Sequence, residues 1–391
     1  MISSAFRRFA ALESAAGILL LGFALLALAW ANSSWADLYF HLREFALPVQ
    51  GLRGTAKSVT VEFLVNDALM AVFFLLVGLE IKRELVAGEL NSLRRAALPA
   101  AGALGGMLVP AAIFIAWNSN GPAHRGWGIP MATDIAFALG VITLLGKRVP
   151  AGLKVFLAAL AILDDLGAIL VIALFYSGEV HFPALAAAGA IVAGLLLLNR
   201  AGVRRRMPYL IAGPFLWAAL LLSGLHATLA GVLLAFCIPH GGAASADEAS
   251  PSEKIETTLG PWVNFAILPL FALVNAGIAL SPRVTGTLLE PLGLGIVLGL
   301  CLGKPLGITF FSWLAVRLRF ATLPANVRWP HLLGAGILGG IGFTMSIFIA
   351  GLGLPDRALL NGAKLAVLAA SSIAGIVGCL VLRLSGRMRP S

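Results

Sequence analysis

Apolar runs of about 20 residues recur along almost the whole chain, the length a helix needs to cross a hydrocarbon core roughly 30 Å thick. Hydrocarbon offers no water to backbone N–H and C=O groups, so a spanning segment must be a helix or part of a closed barrel. A barrel is built from short segments of alternating hydropathy, and these runs do not alternate. The fold class that follows is an all-α, polytopic membrane protein. Composition agrees: 12% of the 391 residues are charged, against roughly 25% in soluble domains. Breaks in hydropathy give twelve transmembrane helices, at about 12–31, 62–86, 96–117, 122–144, 151–176, 182–200, 207–221, 223–238, 257–280, 287–314, 329–351 and 358–384. Arg7 and Arg8 ahead of the first run resemble a secretory signal, but the run to Ala31 is long for one, and it is read as a retained span. Residues 1–391 are read as a single transmembrane domain. Within it, 32–61 form a polar outer connection, either a small hairpin with a subunit contact or a loose loop, and 240–255 form a flexible linker rich in Gly, Ala and Ser.

Charge placement supplies an independent test of that topology. With twelve spans, the loops after even spans and both termini carry 20 of the 28 Lys+Arg. The other side carries seven, namely Arg43, Arg53, Lys57, Arg125, Arg283, Arg357 and Lys364. Such a bias places the basic side, and both termini, in the cytoplasm. It also explains the net charge of +10 without nucleic acid, since no basic face is interleaved with exposed aromatics. Cys237, Cys301 and Cys379 show no metal spacing or disulfide framework and read as small buried hydrophobes. No cofactor is implied.

The informative residues are the charges that interrupt the apolar runs. A charge at mid-bilayer depth is disfavoured by at least about 2.5–3.5 kcal/mol, yet Asp134, Asp164, Asp165 and Lys304 fall inside spans, with Asp67 and Glu80 nearer the ends of span two. Asp164 and Asp165 are adjacent near the centre of span five, and helical neighbours point about 100° apart. One can face a cavity while the other faces a partner helix. Burial and a second carboxylate both favour the protonated form, so the pair is suited to exchanging protons. Ionised, it is a hard oxygen site for a small cation. The alternative is a structural polar contact between helices. A buried lysine needs a partner; the assignment favoured is Asp164 with Lys304, leaving Asp165 on the ion path, although spacing alone does not choose. A bridge that breaks when the acid takes a cation is a switch.

Two spans are interrupted. Gly128-Ile129-Pro130 precedes Thr133 and Asp134 in span four, and residues 339–346 (GGIGFTMS) break span eleven. Proline removes a backbone donor, and broken helices are tolerated at membrane depth only where the freed backbone is buried or lines a cavity. Half-helix amino ends gather positive dipole and carboxyl ends negative dipole. Asp134 can offset the first and Lys304 the second, while Thr133 and Thr344 supply neutral oxygens. The broken spans are the middle members of two three-span groups, 3–4–5 and 10–11–12, inverted relative to one another. This is the logic of secondary transporters, whose site lies where the repeats meet and the broken helices cross near the midplane.

In this order, residues 73–84 (FFLLVGLEIKRE), 132–140 (ATDIAFALG), 163–169 (LDDLGAI), 268–272 (LPLFA), 303–307 (GKPLG) and 340–346 (GIGFTMS) resemble the NhaA family of Na⁺/H⁺ antiporters over nearly the whole chain. The resemblance implies electrogenic exchange in a bacterial inner membrane, with more H⁺ entering than Na⁺ or Li⁺ leaving. It implies a cation and proton site at Asp164 and Asp165, with Asp134 and Lys304 balancing the crossed broken helices and Thr133 close by. It further implies activity rising at alkaline pH through a cluster of Glu80, Glu84 and Glu256, with His226 at a position linked to pH response, and a homodimer formed through the 32–61 region. Near Glu256 the chain carries Thr257 and Gly260 where the family has histidines. Two other functional classes compete with this one. An intramembrane aspartyl protease needs acids on facing helices and a Gly-x-Gly-Asp signature that is lacking here. The other is a symporter of an organic solute; an anionic substrate would want an available cationic group, and Lys304 is already assigned.

Overall fold

The computed structural model describes residues 4–50, 56–241 and 250–386. Local structure follows the solvent: wherever the sequence is apolar for 18 residues or more, the chain is helical, because only a helix closes its own hydrogen bonds in lipid. Among the described residues nine helices are long and apolar enough to cross a membrane, or up to eleven if each of two bent pairs is one span. The first pair begins with helix Ser4–Ala31 and turns through 113° into Ala36–Glu44. The others, in chain order, are Val61–Val86, Leu93–Trp117, Pro122–Leu144, Ala151–Phe175, Phe182–Arg200, Arg206–Ser223, Pro251–Asn275, Pro291–Arg317, the bent pair Trp329–Gly339 and Phe343–Gly353, and Arg357–Ser385. They correspond to the expected spans two to seven and nine to twelve.

Span eight is the exception. Residues 224–228 are a turn that starts from left-handed Gly224 (φ +86°), and the helix covers only Leu229–Cys237. Nine residues rise about 14 Å, and the turn supplies the rest of the crossing, from the Gly178–Gly224 contact at one side to Lys82 at the other. Its carboxyl end is capped from outside: Lys82 Nζ donates to the carbonyls of Phe236 (2.8 Å) and Ile238. The linker is also shorter than expected. Residues 242–249 lie outside the described residues, and Ser250 already caps the next helix, accepting from Glu253 N–H while the Glu253 carboxylate accepts from Ser250 N–H (2.8 Å). Pro251 at the first helical position completes that start signal.

The 32–61 connection contains a two-stranded antiparallel sheet, β1 (Ala46–Gln50) with β2 (Ala56–Thr60), in register Ala46 to Thr60 and Gln50 to Ala56. Its tip, 51–55, lies outside the described residues. Tyr39 pins the preceding helix to span nine by donating to Leu273 O (2.7 Å).

Spans three and ten pack against each other, antiparallel, along a seam of small residues. A Cβ on Gly105 would run into the Gly307 carbonyl, and a Cβ on Gly307 would run into the Gly105 carbonyl. This reciprocal contact brings the first members of the two three-span groups together with opposite directions, as inverted repeats require. Close backbone approach of this kind is how helices associate in lipid. Two π-helical turns, Val263–Ile267 and Gly299–Gly303, each end two residues before a proline, Pro269 and Pro305. Proline cannot supply the next helical N–H, and the widened turn takes up the mismatch. The second of these turns delivers Lys304.

Gly105→Val should therefore destabilise the detergent-solubilised protein by about 1–3 kcal/mol through overpacking. Gly189→Val, at a position with nothing within 4 Å of its added Cβ, should leave the thermal unfolding midpoint unchanged. Equal midpoints for both variants would refute the seam.

Candidate transport site

Span four enters as the 3-10 helix Pro122–Met131, runs extended through 132–134, and resumes as Ile135–Leu144. Span eleven breaks between Trp329–Gly339 and Phe343–Gly353 with a 45° bend. The two breaks touch: Asp134 N–H donates to Ile341 O at 2.7 Å. The Asp134 carboxylate then serves both halves. Oδ1 accepts from Phe137 N–H (3.0 Å), capping Ile135–Leu144, and Oδ2 accepts from Thr344 N–H (3.0 Å) and from the Thr344 hydroxyl. One buried acid thus sits at the amino ends of two half-helices, where their dipoles favour negative charge.

Asp164, Asp165, Lys304 and Thr133 are each at most 1% exposed. Lys304 Nζ is ion-paired to Asp164 Oδ2 and donates to Thr133 Oγ1 (2.9 Å). The Thr133 hydroxyl has two acceptors in reach, Asp164 Oδ2 (2.6 Å) and Gly339 O (2.9 Å), and one hydrogen to give. The sequence suggested that Lys304 offsets the half-helix carboxyl ends. The structure puts it one residue away from them: Thr133, rather than Lys304, meets the Gly339 carbonyl that ends Trp329–Gly339. The two acids differ in their surroundings. Asp164 is engaged through Oδ2, whereas Asp164 Oδ1 and Asp165 Oδ1 are buried with no hydrogen-bond partner. Buried anionic oxygens without donors are costly, and a cation is one way to satisfy them.

A cavity of about 450 Å³ opens nearby, lined among others by Glu80, Arg83, Glu84, Lys154, Ile162 and Asn264. On span five its lining runs Val155, Ala158, Ala159, Ile162, a single helical face that continues one turn on to Asp165. The cavity therefore leads toward Asp165 from the side of the basic loops. Glu256 is drawn to its rim by an ion pair with Arg83, which also meets Glu84 at 3.3 Å. The Glu84 carboxylate accepts in turn from Glu89 N–H (2.9 Å). Of the four residues grouped by sequence for pH response, the three glutamates thus gather around Arg83. His226 does not join them. It lies at the other face of the bundle, its Nε2 2.9 Å from Tyr176 O.

The model of a family described as Na⁺/H⁺ antiporter 1 matches residues 7–382. A protein named Na(+)/H(+) antiporter NhaA 2, from Flavobacterium johnsoniae, is 51% identical over 380 residues, covering 96% of this chain and 92% of its own. Na(+)/H(+) antiporter NhaA of Nitrobacter hamburgensis is 50% identical over 384 residues (98% and 92%), and that of Pectobacterium carotovorum 51% over 382 (96% and 95%). The chain belongs to this antiporter family. It is accordingly a multi-pass membrane transporter and not an enzyme.

Within this member of the Na⁺/H⁺ antiporter family, two basic residues stand where the sequence did not put them. Lys364, counted with the outer loop, is 2% exposed inside Arg357–Ser385 and donates to Asn275 Oδ1 (3.2 Å); Asn275 donates on to Asn66 (2.6 Å). Arg83, counted with an inner loop, is the hub of the glutamate cluster. A signal was available for Lys364: it lies two turns after Arg357, deep enough to be called intramembrane once the helix start at the Asp356 cap is recognised.

Removing one partner of a buried ion pair costs about 3–5 kcal/mol, because the other charge is left uncompensated. Lys304→Met and Asp164→Asn should each lower stability by that order. The double variant should be more stable than the sum of the two losses predicts, as measured by denaturation of the purified protein. Additive losses would show that the two residues are not energetically coupled.

Proposed function

We propose that this protein exchanges Na⁺ for H⁺ across a bacterial inner membrane, with Asp164 and Asp165 as the shared site. The observation that carries the reading is the pair of neighbouring, fully buried carboxylates, one bound to Lys304 and the other with an unpartnered oxygen beside the cavity face. Na⁺ entering from the cavity needs ionised carboxylate oxygens. Among the described residues no three His, Cys, Asp or Glu side chains converge as a resident metal site would. The ion's remaining ligands therefore come from hydroxyls, carbonyls and solvent, which suits transient binding of a small hard cation, Li⁺ as well as Na⁺. Engaging Asp164 weakens its bridge to Lys304, and this change in pairing couples ion binding to rearrangement of the crossed helices, with access alternating between the two faces. Once the ion leaves, the carboxylates take protons. Two titratable acids per cation give room for more H⁺ than Na⁺ to cross in each cycle, which makes the exchange electrogenic.

The finer features follow the same residues. Thr133 and Asp134 with Thr344 hold the break in position while Lys304 changes partner. Glu80, Glu84 and Glu256, crowded around one arginine at the cavity entrance, are assigned to the pH response, with His226 contributing from the far face. The basic loops and both termini are placed in the cytoplasm by charge. The two-stranded β1–β2 sheet within 32–61 leaves each strand one edge outside the pairing, and a second copy adds there to form the homodimer.

In inverted vesicles holding a preset pH gradient, added Na⁺ should dissipate the gradient. Because protons compete for the same oxygens, the apparent affinity for Na⁺ should fall as pH is lowered. Asp165→Asn should abolish the flux; a variant that retains it removes Asp165 from the site.

A further inference from the structure

At the end of span five away from the basic loops, the chain ties itself to both broken helices through one side chain. The Tyr176 hydroxyl donates to Arg125 O (2.7 Å) and accepts from Gly128 N–H (3.3 Å), both in the 3-10 half of span four. Its ring sits in a notch between two glycines. A Cβ on Gly128 would lie 2.8 Å from the Tyr176 hydroxyl, and one on Gly353, the last residue of the second half of span eleven, 2.8 Å from its Cε1. The Tyr176 carbonyl faces His226 Nε2 at 2.9 Å. Just beyond, Gly178 N–H donates to Gly224 O (2.9 Å) and His181 N–H to Ser223 O (2.8 Å), joining the connection after span five to the turn that replaces the start of span eight. Trp127 and Phe175 add an edge-to-face ring pair at 5.1 Å.

We infer that Tyr176 is a positioning residue for transport: it seals the face opposite the basic loops by clamping the end of the Asp164–Asp165 helix into the notch between spans four and eleven. This inference rests on the antiport reading for its purpose and on geometry alone for its existence. The cavity that approaches Asp165 opens on the basic-loop side, and the layer between the acids and the other face is closed here by Ile129, Ser346 and Ile349, each at most 1% exposed. Ser346 Oγ donates to Ile129 O (2.7 Å), so spans four and eleven are already joined in this layer. Span five is the remaining wall, and Tyr176 is its fastening. For the site to empty toward that face, the ring has to leave the glycine notch and its two hydroxyl hydrogen bonds have to break.

The test is side-specific labelling. In a background with Cys237, Cys301 and Cys379 replaced by alanine, Ile349→Cys reports on the sealed layer. A membrane-impermeant maleimide is applied to vesicles of each orientation. Adding Tyr176→Phe, which removes both hydroxyl bonds and keeps the ring, should raise the labelling rate from the face opposite the basic loops by roughly fivefold or more, given the usual worth of two such bonds. The rate from the basic-loop face should stay the same. Gly353→Ala, whose methyl would press both on the ring and on the Arg125 carbonyl that accepts the hydroxyl's hydrogen bond, should give the same one-sided increase and covers the case in which Tyr176→Phe does not fold. No increase in either variant overturns the seal. So does an equal increase from both faces, the sign of general loosening. Na⁺-dependent proton flux in the parent vesicles is scored separately: its absence defeats the antiport reading, while the labelling asymmetry still decides the seal.

Discussion

The rest of the site depends on the two-sided capping by Asp134. Interrupting a helix within a membrane exposes N–H and C=O groups that lipid cannot satisfy, and interrupting two helices at one depth doubles the problem. Here the two interruptions solve it for each other. Asp134 gives its N–H to Ile341 O and takes hydrogen bonds from Phe137 and Thr344, one from each resuming half-helix. A carboxylate held this way is favoured by donors and by two dipole ends at once. The crossing is therefore a fixed point, and the neighbouring Thr133 is carried by it to the Lys304–Asp164 pair. An asparagine at position 134 keeps the shape but loses the charge that both amino ends favour.

The second determinant is how closely the two repeats approach. Lys304 reaches Asp164 only because span ten lies against span three along the Gly105–Gly307 seam, and because the π-turn ahead of Pro305 sets the angle of the lysine. Packing and chemistry are continuous here: the small residues that let helices touch are on the same segments as the charges that those helices bury.

Much of this was legible in the sequence, for a physical reason. Long apolar runs admit only a helix, so spans follow directly, and a charge in such a run is expensive enough to mark itself. Asp134, Asp164, Asp165 and Lys304 were found that way, and the Asp164–Lys304 contact is present. Hydropathy failed where residue count and depth diverge. Residues 223–238 are apolar enough for a span, yet the left-handed Gly224 starts a turn and only nine residues coil. Lys364 read as a loop residue because a boundary drawn at 358 does not say how far in a side chain six positions later is buried. The joint capping of two half-helices by Asp134, and the placing of Tyr176 between Gly128 and Gly353, join residues more than 170 and more than 40 positions apart; no local pattern encodes them. The pairing of Glu256 with Arg83, 173 positions away, is of the same kind, whereas the separation of His226 from that cluster could be anticipated from alternation of the spans alone.

A transport site also has to avoid being too stable. A fully buried lysine–carboxylate pair gives up hydration on both partners, and its attraction in a low-dielectric interior is offset by that loss. The net preference for the paired state is therefore a small difference between large terms, which a competing cation or proton can reverse. The Thr133 hydroxyl keeps that balance close, since its single hydrogen can serve either Asp164 or Gly339 and so compensate whichever acceptor is released. Asp165 takes no part in that bridge, and its buried Oδ1 has no hydrogen-bond partner. The asymmetry between two adjacent identical residues comes from the 100° turn of the helix that carries them. In the proposed reading it leaves one acid to hold the resting structure together and the other to meet what enters.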